Sequence, residues 1–242
     1  MKPPFLSIVI PAHDEETRLP RALEQVFAFL EKQDYTCEVV VVENASHDHT
    51  LEVAREAAGR FPNLHVLHED LPGKGRAVRR GVMETHGEYR FVADADFSMP
   101  VEEISRFLPP ACSCDIAIAS REAPGAIRYN EPAYRHLTGR VYNHLIRLLV
   151  LPGLQDTQCG FKCFRAAVAE DIFRFQTLTR WSFDVELLYV ARRHGYTITE
   201  IGIPWYHNPG SKINVLRHSW GMFTDLLTIR CNARRGVYDA HD

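Results

Sequence analysis

The sequence predicts an α/β protein: a mostly parallel sheet flanked by helices. Three observations predict it. Short β-branched runs alternate with longer segments of helical apolar spacing through the first half, which is the pattern of successive βαβ units. The leading run, Phe5–Ile10, is apolar enough for a buried strand. With 242 residues, 45% hydrophobic and 24% charged, the chain can bury the core of one large α/β domain.

The elements follow in order. Phe5–Ile10 is a strand that ends at Pro11. Leu19, Leu23, Val26, Phe27 and Leu30 fall at helical spacing within Thr17–Lys32, and Cys37–Val42 is the second strand, closed by the turn Asn44–Asp48. Leu51–Arg60 reads as a helix, Leu64–His68 as a strand, and Lys74–Thr85 as a helix entered through Pro72-Gly-Lys-Gly75. Glu88–Ala93 is the fourth strand; Pro100–Leu108 and Asp115–Ser120 add a helix and a strand. The second half is less regular. Tyr134, Leu137, Val141, Leu145 and Leu148 form an apolar stripe beside His136, Arg140, His144 and Arg147. Phe183–His194 is a further helix, Thr197–Trp205 a strand, and Val215–Asn232 a final amphipathic helix. No repeat or linker marks a boundary, so one domain is expected.

Charge excludes some functions. With 28 basic and 31 acidic side chains the net charge is −3, which gives no general electrostatic grip on nucleic acid. The tail from His207 to Gly236 carries five basic residues against one acid and is locally basic. No signal peptide precedes the first strand, so the six cysteines are expected to be reduced cytosolic thiols, and their spacing fits no zinc site. The richest apolar stretch, Leu145–Leu154, is interrupted by Arg147, Pro152 and Gly153 and is half as long as a bilayer span, which needs about 20 residues. No transmembrane segment is expected.

In an open parallel sheet, ligands bind beyond the carboxyl ends of the strands. Those ends here carry His13-Asp-Glu-Glu16, Glu43-Asn44 and Asp94-Ala-Asp96, while Gly73-Lys-Gly75 opens a helix. A helix N-terminus beside a lysine favours phosphate, and two carboxylates one residue apart suit a hard divalent cation that keeps positions for phosphate oxygens. Together they suggest a metal-diphosphate site. Each piece also has a structural reading, since Glu15 and Glu43 could equally cap helices. Gly73-Lys-Gly75 lacks the flanks of a Walker loop, and no G-x-G-x-x-G follows the first strand.

The motifs Ile8-Val-Ile-Pro-Ala-His-Asp-Glu15, Val39-Val-Val-Val-Glu-Asn-Ala-Ser46, Gly73-Lys-Gly-Arg-Ala-Val78, Val92-Ala-Asp-Ala-Asp96 and Asp156-Thr-Gln-Cys-Gly-Phe-Lys162 occur in this order. The order resembles glycosyltransferase family 2, of the GT-A (Rossmann-like) class. With Phe183-Asp-Val-Glu186 and Gly210-Ser-Lys212, the chain looks most like the branch of dolichyl-phosphate glucosyltransferases and mannose synthases.

The resemblance implies inverting transfer of a hexose from a nucleotide diphosphate sugar to a polyprenyl phosphate, with Mg²⁺ or Mn²⁺. UDP-glucose is the first expectation for the donor and GDP-mannose the second. Residues 1–242 would form one catalytic domain, with a nucleotide-sugar half to about residue 122 and an acceptor half from about 123. The resemblance places Pro11, Asp14, Glu15, Glu43 and Asp94 around the nucleoside. Lys74, Lys212 and Asp156 also fall on the donor side, and Asp96, with Asp94 as a second candidate, would hold the metal. Arg121 and Arg135, with Arg140 beyond them, match positions that meet the acceptor phosphate. His13, Asp14, Glu43-Asn44 and Ser98 depart from the family pattern.

A lipid phosphate is already anionic at neutral pH, so it needs arginines more than a general base. Asp184 stands where hydroxyl-glycosylating relatives keep a base, and could equally stabilise the start of its helix. Asp156 is either a sugar-binding acid or a loop cap, and Trp181 either stacks on a sugar or packs in the core. The stripe from Tyr134 to Leu149 and the last helix could both lie at a membrane surface, giving a protein peripheral on the cytoplasmic membrane face. Two other readings stand beside the leading one: transfer to a soluble hydroxyl acceptor with Asp184 as base, and a silent nucleotide-sugar-binding module.

Overall fold

The computed structural model describes residues 3–207 and 215–239, without the side chains of Arg135 and 215–220. β1 (Leu6–Ala12) is buried nearly throughout. Its side chains alternate between two covered faces, with Leu6, Ile8 and Ile10 in one core and Val9 in the other. Pro11 is tolerated near its end because its neighbours two residues apart point their backbone groups toward β4, and that ladder stops where Ala93 N donates to Val9 O.

The first half alternates as the spacing predicts. After β1 come α1 (Leu19–Leu30), β2 (Cys37–Asn44), α2 (Thr50–Arg60), β3 (Leu64–Glu69), α3 (Lys74–Glu84) and β4 (Tyr89–Val92). Helix α3 lies close on the sheet: a Cβ at Gly81 would stand 2.4 Å from Val9 Cγ1 and 2.8 Å from Val42 Cγ2. The helix expected over Pro100–Leu108 is a 3-10 helix over Val101–Phe107, and β5 (Ile116–Ser120) follows.

The second half contains β6 (Ile127–Tyr129), α4 (Ala133–Leu149), β7 (Lys162–Arg165), α5 (Ala166–Phe173) and α6 (Phe183–Arg193). It ends in β8 (Ile198–Gly202), β9 (Pro204–Tyr206) and α7 (Val215–Arg234). The main sheet has the order β3-β2-β1-β4-β7-β5-β8, and β7 runs antiparallel to both of its neighbours. One sheet therefore joins the two halves of the chain. The expected single strand Thr197–Trp205 breaks at Gly202–Ile203: a Cβ at Gly202 would stand 2.3 Å from Pro124 O, and beyond it β9 leaves to pair with β6.

The cysteine expectation needs correction. Cys112 and Cys114 form a disulfide, with Cα atoms 5.7 Å apart across a tight turn, while Cys37, Cys159, Cys163 and Cys231 are free. Among the described residues, no helix is long and apolar enough to cross a membrane.

Candidate active site

A cavity of about 510 Å³ opens beyond the carboxyl ends of β4 and β5. One wall is charged, with Lys74, Asp94, Asp96, Arg121 and Asp184. The opposite wall is apolar, with Leu137, Val141 and Leu145 of α4 and Met222 and Phe223 of α7. The two helices meet there, where Tyr142 Oη donates to Met222 O at 3.3 Å.

Asp94 and Asp96 leave β4 through a turn in which Phe97 takes φ +38°. Lys74 Nζ lies 2.6 Å from Asp94 Oδ1. Burial alone would raise the Asp94 pKa, but the Lys74 ammonium pulls it below the ordinary carboxylate value. Asp96 differs: Oδ1 accepts the Ser98 N–H at 3.1 Å, the Ser98 hydroxyl bonds the same carboxylate, and among the described residues no basic side chain forms an ion pair with it. Burial, then the charge of Asp94, pushes its pKa up. A carboxylate so placed gains from a cation, and the paired-acid donor set suits a hard divalent ion completed by phosphate oxygens. Asp96 therefore fits the metal role, whereas Asp94 Oδ1 is engaged by Lys74.

The string Asp156–Lys162 supports this pair. A Cβ at Gly160 would stand 2.3 Å from Asp94 Oδ2, so only glycine admits the carboxylate. Lys162, almost fully buried, donates to Cys159 O at 2.6 Å and lies 2.9 Å from Asp184 Oδ1. Burial raises the Asp184 pKa against that ammonium.

Asp156 is 0% exposed and does not line the cavity, which corrects its placement against the donor. It accepts the Arg121 backbone N–H at 3.0 Å, Nε at 2.6 Å and Nη2 at 2.9 Å, and its pKa, opposed by burial, falls to about 2. Arg121 faces the cavity from this anchor, with its guanidinium over the Trp205 ring at 5.5 Å.

Other expectations change as well. Arg140 is exposed and does not line the cavity, although its neighbours Gly139 and Val141 do. The N-terminus of α3 is not an open amide cradle. The N–H of Gly75 bonds Arg180 O at 3.2 Å and that of Arg76 bonds Thr179 O at 3.2 Å, so the Lys74 side chain is what reaches the cavity.

Glu43 is 1% exposed and accepts the Ser46 N–H at 2.6 Å and His68, so its carboxylate braces a loop instead of facing a base. Pro11 closes β1. Asp14, at φ +53°, accepts the His47 N–H at 2.7 Å, and Glu15 pairs with Arg18. Trp181 lines the cavity beside Lys74, 5.9 Å from Nζ. Lys212 and the Arg135 side chain lie outside the described residues.

Sequence reasoning missed three supports. Asn44 receives Gly73 N–H on Oδ1 at 2.7 Å and donates to Leu71 O at 2.7 Å, fixing the loop before Lys74. Arg128, clamped by Glu122 and Glu131, lines the cavity. Glu186, 0% exposed, accepts from Thr177 N, Leu178 N and Tyr238 Oη and so holds the segment that packs on α3. Only Asn44, a polar residue closing a strand, left a local signal.

Residues 7–173 match the family model described as Glycosyl transferase family 2. The chain belongs to that family and is a glycosyltransferase on a single GT-A domain. A dolichyl-phosphate beta-glucosyltransferase of Homo sapiens is 35% identical over 250 residues, covering 96% of this chain and 77% of that protein. One from Trichomonas vaginalis is 32% identical over 250 residues, covering 98% and 76%. Glucosyl-3-phosphoglycerate synthase of Mycobacterium tuberculosis, solved with Mn²⁺ and UDP-glucose, shares the fold. Its TM-score is 0.67 at 16% identity, covering 95% of this chain and 79% of that one.

Proposed function

We propose that the chain transfers a hexose, glucose before mannose, from a nucleotide diphosphate sugar to a polyprenyl phosphate, with inversion at the anomeric carbon. One observation carries the reading: a single cavity has a charged wall and an apolar wall, as a ligand with an anionic head and a hydrocarbon tail requires. The names of the relatives support the acceptor class, and the UDP-glucose complex of the fold neighbour supports the donor.

The residues divide the work. Asp96 would hold Mg²⁺ or Mn²⁺, which supplies charge neutralisation at the diphosphate. Lys74, positioned by Asp94 and by the Asn44-braced loop, adds a cation on the same side. Arg121 gives Nε and Nη2 to Asp156, leaving Nη1 for the acceptor phosphate. That phosphate attacks as an anion, so no carboxylate need remove a proton. The leaving nucleoside diphosphate departs on the opposite face of the sugar, and the configuration inverts.

Outside the cavity α4 also exposes Tyr134 (70%) and Leu148 (71%) beside the basic Arg140, an amphipathic surface that supports a peripheral seat on a lipid surface for the acceptor tail. The soluble-acceptor reading draws on Asp184, which lines the cavity with a raised pKa, but the Lys162 ammonium holds that carboxylate. The test is incubation with labelled UDP-glucose or GDP-mannose, Mn²⁺ and dolichyl phosphate, followed by organic extraction. Label should enter the organic phase from UDP-glucose. Transfer only to a water-soluble acceptor would overturn the reading.

A further inference from the structure

Away from the cavity, the loops after β1 and β2 bring His13, Asp14 and His47 together. His13 Nε2 lies 3.6 Å from Asp14 Oδ2, and His47 Nδ1 lies 3.6 Å from Asp14 Oδ1. One ligating atom from each of the three falls within 4.8 Å of the others. The backbone holds them there. Asp14 adopts the left-handed region at φ +53°, its N–H bonds Ser46 Oγ at 3.0 Å, and its Oδ1 accepts the His47 N–H at 2.7 Å.

An independent contact orients the His13 ring. Its Nδ1 is 2.7 Å from the Asn44 carbonyl oxygen, which only accepts, so Nδ1 carries the hydrogen. In the neutral ring the lone pair is then on Nε2, on the edge that faces Asp14. Donation of one ring N–H to a backbone carbonyl, with the other nitrogen presented to a metal, is how protein metal sites orient histidine.

The spacing suits a small tetrahedral ion. Ligands at about 2.0–2.1 Å from zinc stand roughly 3.3 Å from one another. His13 Nε2 and His47 Nδ1 each lie 3.6 Å from a different oxygen of Asp14 and the three ligating atoms lie within 4.8 Å, so rotation of the solvent-accessible imidazoles would close the set on one ion. Two imidazoles and one carboxylate favour zinc, nickel or copper over magnesium or calcium, and three protein ligands leave a fourth position open.

We infer that His13, Asp14 and His47 form a binding site for a divalent transition-metal ion, zinc foremost, separate from Asp96. Occupancy would tie the β1–α1 loop to the β2–α2 loop and engage the Asp14 carboxylate. Resting on the proposed nucleotide-sugar function, the consequence is weaker donor binding when zinc is present.

The test uses the full chain, cleared of metal by chelation and titrated with zinc against a chromophoric chelator. One equivalent should bind. His13→Ala and His47→Ala should each weaken binding by about tenfold or more, while His49→Ala, on the same loop but outside the trio, should retain it. Circular dichroism checks that each variant is folded. Cobalt substitution should give the visible bands of a tetrahedral nitrogen and oxygen site without a thiolate charge-transfer band. No stoichiometric zinc, wild-type affinity in either histidine variant, or a thiolate band would overturn the site. Calorimetry with UDP, with and without zinc, reads the coupling separately. Absence of UDP binding in both states would count against the nucleotide-sugar reading and leave the zinc result standing, whereas UDP binding unchanged by zinc would overturn the coupling.

Discussion

Replacing Asp156 by Asn should destabilise the fold through Arg121. The carboxylate is fully buried and takes two guanidinium N–H bonds and a backbone N–H from that residue. The neutral amide offers one acceptor oxygen and no charge, so Arg121 stays in its pocket without a counter-ion. Removing one partner of a buried pair costs roughly 3–5 kcal/mol. Linkage gives a similar scale: a pKa lowered from 3.8 to about 2 corresponds to about 2–3 kcal/mol.

For a chain of this size each kcal/mol moves Tm by about 2–4 °C, so Asp156→Asn should melt roughly 6–20 °C below wild type near pH 7. The sign against pH follows from the depressed pKa. The stabilisation is complete above the ordinary aspartate value, 3.8, and is lost as pH falls toward about 2, so the two melting curves should converge in that window. Thermal melts followed by circular dichroism across pH 7 to 2 read both effects. Equal Tm values at pH 7, or a gap that widens in acid, would refute the reasoning.

Gly160→Ala places a methyl group 2.3 Å from Asp94 Oδ2, so turnover should fall by about 10² or more while Tm changes little; near-normal kcat would remove the steric argument. Asp96→Asn should abolish turnover with the fold intact, as should EDTA on the wild type, and full activity in EDTA would end the metal role. Val141→Glu sets a charge on the apolar wall and should raise KM for prenyl phosphate at least tenfold with donor KM unchanged; steady-state kinetics on both substrates decide it. Asp184→Asn should cost distinctly less than Arg121→Ala in kcat/KM for prenyl phosphate, and the opposite ranking would favour a hydroxyl acceptor needing a base.

The first four strands and three helices were legible because short β-branched runs alternate there with segments of helical apolar spacing. β7 was not: it has four residues, begins at Lys162 and ends at Arg165, and its place between β4 and β5 is a tertiary fact. The switch at Gly202 was hidden for the same reason, since the close approach of the Pro124 carbonyl that leaves no room for a side chain there comes from a distant segment. In the site, the acidic turn after β4 and Lys74 were legible from position alone. The partnership of Asp156 with Arg121 was not, because the two stand 35 residues apart and meet only when β5 is laid beside β7. Glu43, near a strand end, and Asp156, in a loop, show how an acidic residue can be spent on internal bracing.

The proposed function requires one placement, a prenyl phosphate with its head at Arg121 and its tail along α4 and α7. Cross-linking with a prenyl phosphate that carries a photoreactive diazirine in its first isoprene units, followed by peptide mass spectrometry, tests that placement directly. The labels should fall within Leu137–Leu145 and at Met222–Phe223, and unlabelled dolichyl phosphate should compete them away. Labelling confined to other surfaces, or labelling that dolichyl phosphate does not displace, would contradict it.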